Sequence, residues 1–194
     1  MSALNIILAS GSKARQDMLR ESGVDFTTQP ADIDEAALKA MMVNNSPAEI
    51  AAALAKAKAL HVSAQNPQAM VIGSDQILVC EGTLLSKAAN NDEARVKLQT
   101  LRGKTHYLIS ALCVTRGDGV LFTHCDQAGL TMKNFDDAYL EDYIARAGWA
   151  LTACVGGYAL EEHGKDLFAE IKGDYHVILG MPLAPLLDYL KKEH

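Results

Sequence analysis

An apolar run that stops at a carboxylate constrains this chain more than any other stretch. Ala69-Met70-Val71-Ile72 reads as a buried strand, bounded by Gly73-Ser74-Asp75-Gln76. An acid directly behind such a run costs free energy unless it has partners or work. In open α/β sheets, ligands bind beyond the carboxyl ends of the strands, which puts Asp75 where chemistry is usually done. The chain then continues as a hairpin, with Glu81-Gly82 as a two-residue turn and glycine available for a positive φ. With Cys80 facing Thr83, the register extrapolates to Gln76 opposite Lys87. Asp75 and Lys87 become diagonal neighbours at the open end. The alternative is a surface acid and a surface lysine that never meet, and spacing alone leaves both open.

The segments before this strand supply more polar groups. Leu4 to Ala9 reads as a first strand, followed by Ser10-Gly11-Ser12 and a helix from about Lys13 to Gly23, with Ser12 as N-cap. A strand, a small-residue turn and a helix N-terminus form a ready anion site. Arg15 opposes the dipole of that first turn, which makes sense beside an anion. The same residues also read as an ordinary capped helix, since the Gly-Lys-Ser/Thr of a phosphate loop is missing. Phe26 to Gln29 is a short strand. Asp32-Ile33-Asp34-Glu35 is either a solvated helix start or a metal or ribose site. Ser46-Pro47-Ala48-Glu49 opens a long helix to about Ala64. Ile50, Leu54, Lys58 and Val62 share one row of it, and Lys56 points the other way. A lysine on the inward row must snorkel or meet an anion.

Beyond the hairpin, a helix runs from Asn91 to Leu101. Two long strands, Thr105–Thr115 and Val120–Lys133, are joined at Gly117-Asp118-Gly119. Asp136 to Ala147 is an amphipathic helix. His106 and His124 read as polar contacts of the strands. A glycine-bounded loop, Gly156 to Gly164, carries Glu161, Glu162 and His163, and loops on rigid scaffolds often carry function. Tyr175 to Leu179 reads as a strand, and Pro182 starts a terminal helix.

The pattern is α/β: a mixed twisted sheet with flanking helices. With 194 residues it forms one domain over 1–194, or two closely joined lobes. A net charge of -6 argues against a nucleic-acid polymer as partner, while leaving room for a small anionic substrate met by local cations or a metal. Cys80, Cys113, Cys125 and Cys154 lack zinc-ligand spacing, which fits a reduced, cytoplasmic setting. The N-terminus has no signal-peptide pattern and no apolar run is long enough to cross a membrane.

Five blocks, in order, resemble one family. They are Leu8-Ala9-Ser10-Gly11-Ser12-x-x-Arg15, Ile33-Asp34-Glu35, Leu54-Ala55-x-x-Lys58-Ala59 and Ile72-Gly73-Ser74-Asp75-Gln76. The last runs from Gly157-Tyr158 through Gly164, Leu167-Phe168 and Ile171-x-Gly173-Asp174-Tyr175 to Leu179-Gly180-Met181-Pro182-Leu183. Together they are similar to the Maf family of nucleotide pyrophosphatases. The resemblance implies an inosine triphosphate pyrophosphatase-like fold with two lobes around a cleft. It implies cleavage of a nucleoside triphosphate to the monophosphate and pyrophosphate with Mg²⁺ or Mn²⁺; a homodimer is a further expectation. Ser10, Ser12 and Arg15 fall on the phosphate loop, and Glu35 on the metal acid. Asp75 falls on the general base, also read as a metal ligand. Lys58 and Lys87 fall on the catalytic lysines, and Gln76 and Glu161 on substrate-binding positions. Lys13, Ala14, Ser86, Ala88 and Glu162 depart from the family pattern.

Gly-Ser-Asp-Gln with Glu161 resembles the subgroup acting on 7-methyl-GTP. A guanine edge offers two donors to one carboxylate, and N7-methylation adds a positive charge. A dTTP/UTP pyrophosphatase is the alternative. A septum-formation regulator that binds nucleotide without turnover is the alternative of another class.

Overall fold

A computed structural model gives the fold and describes residues 5–193. Leu4, expected in the first strand, lies outside the described residues. The strands are β1 (Ile6–Leu8), β2 (Thr27–Thr28), β3 (Met70–Cys80), β4 (Thr83–Leu85), β5 (Thr105–Arg116), β6 (Gly119–Met132) and β7 (Phe168–Lys172). The helices are α1 (Lys13–Glu21), α2 (Glu35–Met41), α3 (Pro47–Gln65), α4 (Asn91–Leu101), α5 (Asp137–Ala147), α6 (Ala150–Ala153), α7 (Tyr175–Leu179) and α8 (Leu183–Leu190), with a 3₁₀ turn at His163–Leu167. The sheet runs β2-β1-β3-β5-β6-β7, with β4 on β3. β1 pairs parallel with β2 and β3, whereas β3–β4 and β6–β7 are antiparallel. The mixed α/β sheet with flanking helices is therefore the observed architecture.

The chain forms two compact units. The first comprises residues 5–76, 110–126 and 180–193, and the second comprises 77–109 and 127–179. In the first, Ile6, Ile7 and Leu8 are buried along β1, and Ile50, Leu54 and Val62 along α3. That helix starts at a complete capping box: Ser46 Oγ accepts from the Glu49 amide, and the Glu49 carboxylate accepts from the Ser46 amide. The second unit has its own core, including Leu78, Leu98, Leu101, Leu108, Leu130, Tyr143 and Phe168.

Several sequence expectations are corrected. β3 does not stop at Gly73; it runs unbroken from Met70 to Cys80, so Asp75 is a mid-strand residue. Gly73 marks a close approach of another backbone, not a strand end. The hairpin has the expected Cys80–Thr83 register, but its ladder ends at Leu78–Leu85. Lys87 lies past the end of β4, so the extrapolated pairing with Gln76 does not form. Tyr175–Leu179 is helical, not a strand. Its β-branched composition is overridden by Asp174, whose Oδ1 accepts from the amides of His176 and Val177 at 2.8 and 3.1 Å. The first two strands are shorter than expected, and α6 and the 3₁₀ turn carry no strong signal in the sequence.

Candidate active site

Gly73 brings the first group of the site together. A Cβ at this position would collide with the Ala55 carbonyl oxygen and lie 2.7 Å from the Ala59 amide nitrogen. Only a residue without a side chain lets α3 sit this close to β3. Lys58, one position before Ala59, then reaches Asp75 on the strand. Its Nζ donates to Asp75 Oδ1 at 2.5 Å and lies 2.8 Å from Glu35 Oε1 at the start of α2. The side chains of Lys58 and Asp75 are only 12% and 7% exposed, against 42% for Glu35. One nearly buried ammonium thus holds two carboxylates, one deep and one at the surface. Lys56 is exposed, as its helical row requires.

Ser74, beside Asp75, is completely buried. Its Oγ lies 2.9 Å from the carbonyl oxygens of Ala111 and Gly180. Arg15 ties the same backbone from the other side. Its Nε donates to the Gly180 carbonyl at 2.8 Å, and Nη1 donates to the Ser74 carbonyl at 3.0 Å and to Ser10 Oγ at 3.3 Å. Ser10 Oγ also accepts from the Ser12 amide. Burial pulls the guanidinium below its ordinary pKa, while the Asp75 and Glu35 carboxylates raise it. Arg15 is therefore a fork that fixes three chain segments, with its charge placed in the field of the two acids. Ser12 is the N-cap of α1, although its side chain makes no capping bond. Gln76 Nε2 donates to Ser110 Oγ at 3.1 Å. The first unit thereby brings Ser10, Arg15, Glu35, Lys58 and Asp75 together, with Ser12 joined through its amide, whereas Gln76, next to Asp75 on β3, bonds to Ser110 instead.

Lys87 and Glu161 belong to the second unit, where both are exposed. Both act electrostatically on Cys154, whose thiol is pushed up to about 11, mainly by burial, with Glu161 and Glu162 raising it and Lys87 lowering it. The two adjacent acids differ in their contacts. Glu162 is taken by Trp149, whose Nε1 donates to Glu162 Oε1 at 3.2 Å.

Sequence reasoning missed Ser74, Gly180 and Lys97. The first two lie inside motifs already singled out. Lys97 has the signal that revealed Lys58: Ala94, Lys97, Leu98 and Leu101 form one inward stripe of α4, and all are buried.

Among the described residues, no group of three or more His, Cys, Asp or Glu side chains is arranged to hold a metal. Glu35 and Asp75 nevertheless converge on one point, which Lys58 Nζ occupies. A Mg²⁺ held by these two carboxylates would take the place of the ammonium and draw its remaining ligands from water and phosphate.

Fold and site define a mixed α/β protein with an acid–lysine–acid centre in its first unit. The Maf-like protein family model matches residues 5–193, and the chain belongs to that family. It is 43% identical over 188 residues to a nucleoside triphosphate pyrophosphatase of Paramagnetospirillum magneticum, covering 96% of this chain and 97% of that one. It is 45% identical over 193 residues to a protein of the same name from Caulobacter vibrioides, covering 98% and 96%. Among solved structures, a HAM1 protein from Coxiella burnetii matches with a TM-score of 0.44 at 14% identity, over 68% of this chain and 74% of that one.

Proposed function

We propose that this protein hydrolyses a nucleoside triphosphate between the α- and β-phosphorus, releasing the monophosphate and pyrophosphate. The observation that carries the reading is the shared ammonium of Lys58 between Asp75 and Glu35. A carboxylate in so enclosed a place suits a general base, and a lysine beside it suits the charge of a polyphosphate. Asp75 orients the attacking water and accepts its proton. Lys58 neutralises phosphate oxygens as the anhydride bond breaks and negative charge moves onto the leaving pyrophosphate. Arg15 contributes its field and holds Ser10 and the Ser74 backbone in register, while Ser12 and Gln76 serve substrate binding. A divalent cation, Mg²⁺ or Mn²⁺, would be held by Glu35 and Asp75 and would supply further charge neutralisation. Lys87 adds a further cation for the polyphosphate. Positioning and electrostatics account for most of the acceleration in such reactions.

The substrate we favour is 7-methyl-GTP. Glu161 is the acid of the late loop that Trp149 leaves available, and a carboxylate accepts both N1–H and N2–H of a guanine edge. The relatives' names specify the reaction without a base. The deciding experiment is a panel of 7-methyl-GTP, GTP, dTTP and UTP with Mg²⁺ and with Mn²⁺, scored for pyrophosphate. Fastest release from 7-methyl-GTP is the expected result. A preference for dTTP or UTP changes the substrate. Release of orthophosphate overturns the reaction. Tight binding without turnover favours a regulatory role.

A further inference from the structure

The late loop is held far more firmly than an exposed connector requires. Gly157 has φ 75°, a Cβ added there would lie 3.7 Å from Leu98 Cγ, and its carbonyl accepts from the buried Tyr143 hydroxyl at 3.0 Å. Tyr158 is buried with its hydroxyl 2.6 Å from His106 Nε2. The amides of Glu162 and Gly164 both return to the Ala159 carbonyl, at 3.2 and 3.0 Å. A Cβ on Gly156 would lie 2.6 Å from Tyr158 Cζ, and one on Gly164 would lie 2.8 Å from the Ala159 carbonyl carbon. The backbone on both sides of Glu161 therefore has one tightly packed conformation.

Lys97 stands at the root of this loop. It is 9% exposed, on the inward stripe of α4 next to Leu98, and its Nζ donates to the Val155 carbonyl at 3.0 Å. A neutral donor would satisfy a carbonyl at lower desolvation cost, so a buried ammonium here calls for a reason. Its electrical surroundings give one. Burial lowers the Lys97 pKa, Glu93 raises it and Lys87 lowers it. Lys87 also acts on Cys154, the residue before Val155, together with Glu161. The contact that ties Lys97 to the loop is its bond to the Val155 carbonyl, with Lys87 acting electrostatically on both Lys97 and Cys154.

We propose that Lys97 is a positioning residue for base selection, holding the loop that carries Glu161 through the Val155 carbonyl. The proposal deepens the function argued above and rests on it. Lys97 touches no substrate; it sets the direction from which Glu161 meets a base edge. Truncating it lets the loop relax, and the discrimination between bases decays while the hydrolytic centre in the first unit keeps its geometry.

The test compares wild type, Lys97→Met and Lys97→Arg. Methionine keeps the length and apolar stem and removes the donor, while arginine keeps a charged donor. In Lys97→Met the kcat/KM ratio between the preferred base and the other base class moves toward one by roughly ten- to a hundredfold, the value of a hydrogen bond from a charged group. The change is in KM, with kcat near wild type, and Lys97→Arg recovers most of it. Trp149 is the only tryptophan and is bonded to Glu162, so its emission reports on the loop. That emission shifts in Lys97→Met and returns in Lys97→Arg. Tyr143→Phe, which releases the Gly157 carbonyl without changing ring volume, serves if Lys97→Met does not fold, and moves the ratio the same way. An unchanged base ratio in a folded variant overturns the proposal, as does an equal fall in kcat for every substrate. A wild type that turns over no triphosphate overturns the proposed function, and Trp149 emission then still decides whether Lys97 holds the loop.

Discussion

Gly73 and Ala59 meet so closely that a Cβ on the glycine would lie 2.8 Å from the Cβ of the alanine. This contact seats α3 on β3 and carries Lys58 to Asp75. Replacing Gly73 with alanine forces the helix outward, because the colliding atoms are backbone and cannot rotate away. The expected loss of stability is at least the ~1–3 kcal/mol usual for an overpacked core. Activity should fall further than stability alone explains, since the Lys58–Asp75 distance changes. Urea unfolding and pyrophosphate release on the same variant measure both. Unchanged stability would mean that the two backbones are not in contact.

The acid–lysine centre predicts an unequal pair of lysine effects. Lys58→Ala leaves Asp75 buried without its cation and removes a charge from the reaction, so turnover should fall by about 10²-fold or more. Lys56→Ala, on the opposite face of α3 and exposed, should stay within about twofold, as surface substitutions usually do. Asp75→Asn preserves shape and removes the base, with an expected loss of roughly 10²- to 10⁴-fold. Steady-state assays of the three variants, each checked by circular dichroism, test the set. Near-normal turnover of Asp75→Asn would move the base elsewhere.

Lys58 was legible because a helix repeats every 3.6 residues, so a single cation on an apolar row stands out. Asp75 was legible as an acid in an apolar setting, but its place in the strand was not. Gly73 looked like a terminator, because nothing local distinguishes a glycine that ends a strand from one that admits a helix. Arg15 bonds the carbonyl of Gly180 across 165 positions, and no periodic signal covers that distance. The hairpin register was readable from its turn but not the point where pairing stops. Tyr175–Leu179 has the composition of a strand in Val177 and Ile178, but the Asp174 side chain caps a helix there. Lys97 lies on a stripe like that of Lys58, with Ala94, Leu98 and Leu101, so the same helical periodicity marks it in the sequence.

His106 makes stability depend on pH. The ring is fully buried between Tyr158 and Phe168, and among the described residues its Nδ1 has no partner. Burial lowers its pKa from 6.5 to about 4. Between these values the unfolded chain carries the proton and the folded chain does not. Stability therefore rises with pH through this window, and is lost as pH falls from about 6.5 to about 4, by up to ~3 kcal/mol. His106→Phe removes this contribution. Its stability should be flatter with pH than wild type over the same range, whatever its absolute value, since the substitution also strands the Tyr158 hydroxyl. Denaturant titrations at pH 4.5, 5.5 and 6.5 read the difference, and parallel curves for the two proteins would rule out His106 as the source.

Glu161 and Glu162 are adjacent, yet only Glu162 is bonded to the indole of Trp149. The pair therefore gives a clean comparison. Glu161→Gln converts an acceptor of two donors into a group with one acceptor and one donor, which is mismatched to a guanine edge and better suited to uracil or thymine. Hydrolysis of 7-methyl-GTP should weaken relative to UTP by about ten- to a hundredfold, the loss of a charge-assisted contact. Glu162→Gln keeps an oxygen for Trp149 and should leave the ratio within about twofold. The methyl group adds a second arm to the argument. Removing the carboxylate charge should cost 7-methyl-GTP more than GTP, because only the methylated base carries a compensating positive charge. Ratios of kcat/KM for 7-methyl-GTP, GTP and UTP with wild type and both variants measure each step. If Glu162→Gln shifts the ratio and Glu161→Gln does not, the selecting acid is Glu162 and Trp149 is its orienting partner. If neither shifts it, base selection lies outside this loop.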